Sequence, residues 1–274
     1  MLPAVTAAKL VAVMLTFAKV KHGSRGPTIA RTSKLDAVRE LHGRLRKTLP
    51  GPVELWGVKV AGRSAMAPSE SALLSSFLRA RSWDIDEAEC MFTSSLRWRA
   101  EFRVDSLRAS EFRGMPCEVF RGRDSRGRLL VVLRLSELRG DSFQDLDNFI
   151  RWRVYMQEAL NSRLDFADGE PCYTLVLNCE GFTSGHFSKE ARRCAKVLSQ
   201  VSCDNYPDFL DKILICSPPP IFAFAFGVLR PFLPRNFVAL IKMHSGDEAS
   251  CLAEEQGRRR PRAAPGSRAK TAPA

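Results

Sequence analysis

Apolar residues in the first third of the chain recur at helical spacing. Leu35, Val38, Leu41 and Leu45 fall on one face, which predicts a helix over 35–49. Residues 50–68 are bounded by Gly and Pro and read as a loop with a short apolar piece at 53–60. Ser69 is placed to cap a helix over 69–80. Asp86-x-x-Glu89 resembles a capping box and starts a second helix reaching about residue 102. Met91, Trp98 and Phe102 sit at i, i+7 and i+11 of that helix, as core-packing residues do.

From Cys117 the period shortens to two. Residues 117–121, the turn Asp124-Ser-Arg-Gly127 and residues 129–135 predict a β-hairpin. A helix over 143–163, a buried strand at 173–177, a helix at 188–201 capped by Ser188 and a strand at 213–216 follow. Strands alternating with helices imply an α/β sheet with helices packed on it. After the break at Pro218-Pro-Pro220, residues 221–229 are apolar throughout, so no polar face exists at any period. A buried core helix, a helix with one face on lipid, and a strand alternating Phe222, Phe224 and Phe226 all fit that pattern. Beyond Ser245 no ordered element is expected, and the Arg/Pro/Ala tail has the composition of disorder.

Composition adds size and partners. The chain has 274 residues, 45% of them hydrophobic, enough for a substantial core. Its net charge of +12 lies at the ends: residues 1–35 and 257–274 each hold six basic residues and no acid, so the stretch between is neutral. A nucleic-acid-binding domain carries its charge on the folded face, so no nucleic-acid partner is expected. Basic ends suit an anionic membrane surface or a solvated tail. Eight cysteines form no C-x-x-C and mostly lie in apolar stretches, and the four histidines lack ligand spacing. Reduced thiols, no metal and a cytoplasmic setting are expected. The mostly apolar stretch 10–18 is nine residues long, too short to span a bilayer, and the acid-free N-terminus reads as a transit segment, a weak signal or a membrane-surface helix. G-x-S-x-G, P-loop, H-E-x-x-H and Rossmann glycine motifs are absent, and Gly114, Gly122 and Gly127 read as turn glycines, so no enzyme is expected.

Five stations in order give the chain a resemblance. Leu74-Ser-Ser-Phe-Leu-Arg-Ala-Arg-Ser-Trp-Asp84, then Ala88 and Leu96-Arg-Trp-Arg99, resemble the N-terminal helical module of the CRAL-TRIO family. Residues 173–181 with Phe182 and Thr183 resemble its central strand and turn, Asp204-Asn-Tyr-Pro207 its "NYPE", and Arg230-Pro-Phe-Leu233 its "KPFL". Glu54-Leu-Trp-Gly-Val58 and Phe149-Ile-Arg-Trp-Arg153 look most like the non-classical phosphatidylinositol transfer proteins.

The resemblance implies an α/β fold in which an N-terminal helical lobe joins a mixed sheet, flanked by helices, that floors an apolar lipid pocket. It implies a basic segment at 1–34, a lobe at 35–108, a lipid-binding domain at 109–246 that looks shortened at its C-terminus, and a basic tail at 247–274. A mobile gate would cover about 221–232, with Phe222, Phe224, Phe226 and Leu229 facing ligand or membrane. Arg81 matches an arginine that contacts lipid phosphate, a role its forked donors suit. Tyr206 lies in the "NYP" station, and Asp208 stands one methylene short where the family has the inositol-binding Glu. Thr183 matches a hydroxyl that meets phosphocholine. Phe209 replaces a family arginine, Lys242 is out of register with the gate-proximal lysine, and Gly185 replaces a second hydroxyl, with Ser184 beside it, so neither headgroup set is complete. Leu177-Asn-Cys-Glu-Gly181 lacks the His/Tyr pair that one relative uses for haem; Cys179 reads as a core thiol and His186 as a surface residue.

The expectation is a monomeric, peripheral carrier of one phospholipid, phosphatidylinositol favoured, with no cofactor beyond that ligand. The alternatives are an interaction module with a degenerate pocket and a carrier of another hydrophobic ligand such as haem or a tocopherol-like molecule.

Overall fold

The computed structural model describes residues 31–62, 65–116, 119–138, 140–167, 169–182, 188–220, 226–227 and 235–257. The first helix, α1 (Arg31–Thr48), begins four residues before the predicted start. It buries Val38, Leu41 and Leu45, each such side chain contributing about 1.5–3 kcal/mol. Leu35 does not join them and stays exposed. The predicted loop at 50–68 contains a tight antiparallel hairpin, β1 (Val53–Leu55) and β2 (Val58–Val60). Its alternation is only three residues per strand, too brief for periodicity to separate from a loop.

Helix α2 (Pro68–Ala80) is not capped by Ser69. Ala67 holds the cap position without a side-chain bond, and Pro68 supplies a preset φ at the first helical residue. Glu70 turns inward, accepts the Ala61 N–H at 2.8 Å and lies 3.4 Å from His42, tying β2 to α2. Helix α3 (Ile85–Phe102) is capped by Asp84, whose carboxylate accepts the Glu87 N–H at 2.9 Å. Asp86, the predicted cap, instead pairs with Arg44 of α1. Met91 is buried, and Trp98 and Phe102 are half-buried against the core.

The α/β part is built on β3 (Val119–Arg123), β4 (Leu129–Arg134), β5 (Tyr173–Asn178), β6 (Leu210–Cys216) and β7 (Ile241–His244). Sheet order is β3-β4-β5-β6-β7, antiparallel at the β3–β4 hairpin and parallel thereafter. The hairpin matches expectation, with a register shift where Gly122 takes φ +89° on the edge strand. Helix α4 (Leu146–Asn161), capped by Asp145, joins β4 to β5, and α5 (Lys189–Asn205), capped by Ser188, joins β5 to β6. Parallel crossovers are right-handed in nearly all folds, so successive crossovers stepping one way across a sheet lie on one face. Short α6 (Arg235–Leu240) precedes β7.

The expected disorder after Ser245 is corrected by α7 (Glu248–Glu255), capped by Asp247 through the Ser250 N–H at 2.8 Å. Its Cys251 is buried and Leu252 half-buried against Leu130, Val132, Val176, Leu214 and Cys216, on the sheet face opposite the main core. Its acids meet cations of the sheet. Glu248 receives Arg134 through two parallel bonds at 2.7 and 2.8 Å and Asn178 at 3.1 Å. Glu254 receives Lys242 at 2.7 Å, and Glu255 receives Lys212 at 2.8 Å. The basic tail therefore starts after this helix, not before it. Residues 1–30 and 258–274, where the N-terminal and tail expectations fall, lie outside the described residues. Among the described residues no helix is long and apolar enough to cross a membrane.

Candidate functional site

Alternation in the parallel strands gives the sheet two unlike faces. On the helix-covered face, Val131, Leu175, Ile213 and Ile241 align in one cross-strand rung. Leu133, Leu177, Ile215 and Met243 align in the next. A shift between β5 and β6 places Asp211 outside this pattern, where it pairs with Arg128 of the hairpin. The rungs are buried under α4 and α5 but only half-buried at Ile241 and Met243 on edge strand β7. This apolar floor runs out to edge strand β7. Phe226, the one described residue of the four predicted to face ligand or membrane, is buried in the same core cluster. Phe222, Phe224 and Leu229 lie outside the described residues, as do Thr183, Ser184, Gly185 and His186.

The turn after β5 is built on Gly181. Its φ is +71°, and a Cβ there would sit 2.9 Å from the Ser136 side chain, so only glycine fits without a shift. Cys179, just before it, is a core thiol. It is buried beside the Leu177 carbonyl, and burial pushes its pKa up to about 12, which disfavours the thiolate an iron would need. Among the described residues no group of three or more His, Cys, Asp or Glu could hold a metal.

Arg81, Tyr206 and Asp208 do come together, at the joint between the helical lobe and α5. Arg81 closes α2, and its guanidinium donates to the carbonyls of Ala80 and Cys203, each at 3.1 Å. The neighbouring Arg79 donates to the Asp208 carbonyl at 3.5 Å and pairs with Glu170 at 3.0 Å. Ser95 of α3 donates to the Asn205 carbonyl at 2.7 Å. Both arginines of the "RAR" station thus grip backbone at the end of α5 or just beyond it.

Tyr206 is buried against Trp56 and Trp98, with ring centroids 6.2 and 5.7 Å away, and Phe209 packs edge-on against Trp56. Glu158 of α4 organises the polar edge of this cluster. It accepts Trp56 Nε1–H at 2.9 Å and Arg99 at 2.7 Å. Burial opposes the charge of Arg99, but Glu158 outweighs it and holds the guanidinium pKa above its ordinary value. Burial, with the Glu158 charge added, pushes the Tyr206 phenol well above 10. A shallow concavity of about 380 Å³ opens beside Trp56, Arg99, Tyr155 and Glu158. On its other side Tyr206 borders an enclosed space of about 10 Å³ shared with Arg153, Gln157 and Ser202, room for about one water.

Sequence reasoning missed Glu158 and Arg99 as a pair because they lie 59 positions apart. It also missed α7, although Asp247 three residues before Ser250 is an N-cap spacing.

Comparison with known proteins agrees with this architecture. The structure aligns with the crystal structure of Sfh5 at a TM-score of 0.61 and 18% identity, covering 76% of this chain and 80% of that one. In sequence the chain is 29% identical over 185 residues to Patellin-1 of Arabidopsis thaliana, covering 62% of this chain and 30% of that protein. It is 26% identical over 247 residues to the phosphatidylinositol transfer protein sfh5 of Emericella nidulans, covering 81% of this chain and 59% of that protein. The chain therefore spans about a third to three fifths of the length of these relatives. The model of the CRAL/TRIO domain matches residues 114–258, from just before β3 to just past α7. Over the sheet, its crossovers and the closing helix, the chain belongs to the CRAL/TRIO domain family.

Proposed function

We propose that this chain carries a single membrane phospholipid, its acyl chains lying over the rungs that end at Ile241 and Met243, and moves or presents it between membranes. The observation that carries the reading is the floor itself. Two aligned rungs of apolar side chains run from the helix-covered centre of the sheet to an edge where cover becomes partial. Each methylene buried there contributes about 0.8 kcal/mol, so affinity comes from the chains and a few polar groups select the head. The reading is one of binding and carriage, without a cofactor or a catalytic step. Phosphatidylinositol is the favoured head, because several of the relatives, including sfh5 of Emericella nidulans, are named for its transfer.

One observation favours a second reading, a module that keeps the fold for protein contacts. Arg81 gives two of its donors to the Ala80 and Cys203 carbonyls, so the residue matched to phosphate binding already braces the lobe. Lipid extraction from protein purified out of a eukaryotic host, followed by mass spectrometry, separates the two. Carriage predicts about one phospholipid per chain and transfer of labelled phosphatidylinositol between vesicles. Met243→Trp, which fills the half-buried end of the floor, should lower loading several-fold with the circular dichroism spectrum unchanged. Apo protein from such a host, inactive in transfer, would leave the second reading standing.

A further inference from the structure

Two thiols meet on the sheet face away from the floor. Cys216 is the last residue of β6, and Cys251 lies in the middle of α7. Both are essentially fully buried, and they share one six-residue cluster with Leu130, Val132, Val176 and Leu214. Each thiol perturbs the other's titration, Cys216 upward and Cys251 downward, as two groups side by side in one cluster do. Neither thiol takes part in the lipid floor, and apolar packing alone does not call for two cysteines in so small a cluster.

The position of the pair gives it leverage. Helix α7 follows β7 after three residues and is held to the sheet by its side-chain contacts together with the Ser125 N–H, which donates to the Glu255 carbonyl at 2.9 Å. The segment between the two cysteines contains the whole crossover from β6, then α6, β7 and the first half of α7. A covalent bond from 216 to 251 would close all of it into one ring and fix edge strand β7 from both sides.

We infer that Cys216 and Cys251 form a reversible disulfide that latches α7 onto β6 when a peroxide oxidises the pair. Short helices at the margin of a fold open locally far more often than the whole domain unfolds, which admits the oxidant. The Cys251 thiolate attacks one peroxide oxygen and displaces hydroxide, giving a sulfenic acid. The Cys216 sulfur then attacks the sulfenic sulfur, the S–S bond forms, and water leaves with the thiol proton. Two thiols and one hydrogen peroxide become one disulfide and two waters, with two electrons passing from sulfur to peroxide. Cys251 rides on the short helix that opens, so it meets the oxidant first and is the attacking sulfur.

The test is peroxide titration of the full chain, followed by alkylation of remaining thiols and peptide mapping. The expected product is a Cys216–Cys251 crosslink approaching one per chain, reversed by dithiothreitol. Amide exchange in residues 248–255 should slow on oxidation and recover on reduction. Cys216→Ser and Cys251→Ser should each abolish the crosslink and the exchange effect, and the wild-type map decides the matter should either variant fold poorly. The inference is overturned if both thiols remain alkylatable after unfolding the treated protein. It is equally overturned if Cys251 goes to sulfinic acid alone, or pairs with another of the cysteines.

Discussion

Replacing Glu158 with alanine tests whether the Trp56–Tyr206 cluster is a joint or a ligand site. Glu158 accepts from Trp56 and Arg99, and the pair's side chains are only 17% and 12% exposed. Removing one partner of a buried pair costs about 3–5 kcal/mol, because the other charge is left uncompensated. The Trp56 N–H loses its acceptor too, for about 1–3 kcal/mol more. Arg99 keeps Asp105 at 3.1 Å, and the adjoining concavity of about 380 Å³ lets water reach it, which together return part of that loss. A net cost of about 3 kcal/mol is expected, near the lower end of what a buried pair gives. For a domain of this size that lowers Tm by about 6–12 °C. Thermal unfolding followed by circular dichroism at pH 7 reads it directly. Glu158→Gln keeps an acceptor for Trp56 and should show about half the shift. The decisive comparison is Arg99→Ala with Glu158→Ala, which removes the stranded charge and should be less destabilised than Glu158→Ala alone. A Glu158→Ala shift under about 2 °C, or a double variant worse than the sum of the two, would refute the joint.

Three further outcomes follow from other contacts. Hydrogen bonding by Arg134 holds the Glu248 carboxyl below its ordinary value of 4.5 despite burial, so the stability it adds is complete above about that pH and lost as pH falls through the folded value; Glu248→Gln should therefore be less stable than wild type at pH 7, and chemical denaturation should find the gap closing in acid. Arg81→Ala removes two charge-assisted bonds to backbone and should cost about 2 kcal/mol in urea unfolding whether or not lipid is bound, whereas a purely headgroup role predicts no loss in delipidated protein. Gly181→Ala combines a left-handed backbone with a Cβ at 2.9 Å from Ser136 and should cost about 1–3 kcal/mol, read as a lowered urea midpoint.

The strong helices and the parallel strands were legible because burial imposes a period. Val38, Leu41 and Leu45 at helical spacing, and 173–177 as a short run that is apolar apart from the β-branched Thr174, carry that period plainly. Caps were less legible. Ser69 and Asp86 have the right chemistry, but Pro68 and Asp84 lie nearer the true turn, and local preference separates such neighbours by only about 1 kcal/mol. Helix α7 was hidden because eight residues with three glutamates look solvated until Arg134, Lys212 and Lys242 are seen beneath them. The candidate site was legible as a set of stations and not as a place. Arg81, Tyr206 and Asp208 converge, yet the convergence is at a joint, and no spacing along the chain distinguishes a residue that grips a phosphate from one that grips a carbonyl.

The two-faced sheet has one more consequence. From β4 to β7, paired odd positions such as Leu177, Ile215 and Met243 point to the floor, while paired even ones such as Val176 and Leu214 point to α7. Neighbouring letters of the same strand therefore answer to different demands. Enlarging or narrowing a floor residue reshapes what can rest there without loosening the clasp behind, and a change in the clasp leaves the floor's outline intact. Such a strand can drift toward a new cargo one face at a time, a freedom that a helix wrapped by core on every side does not have.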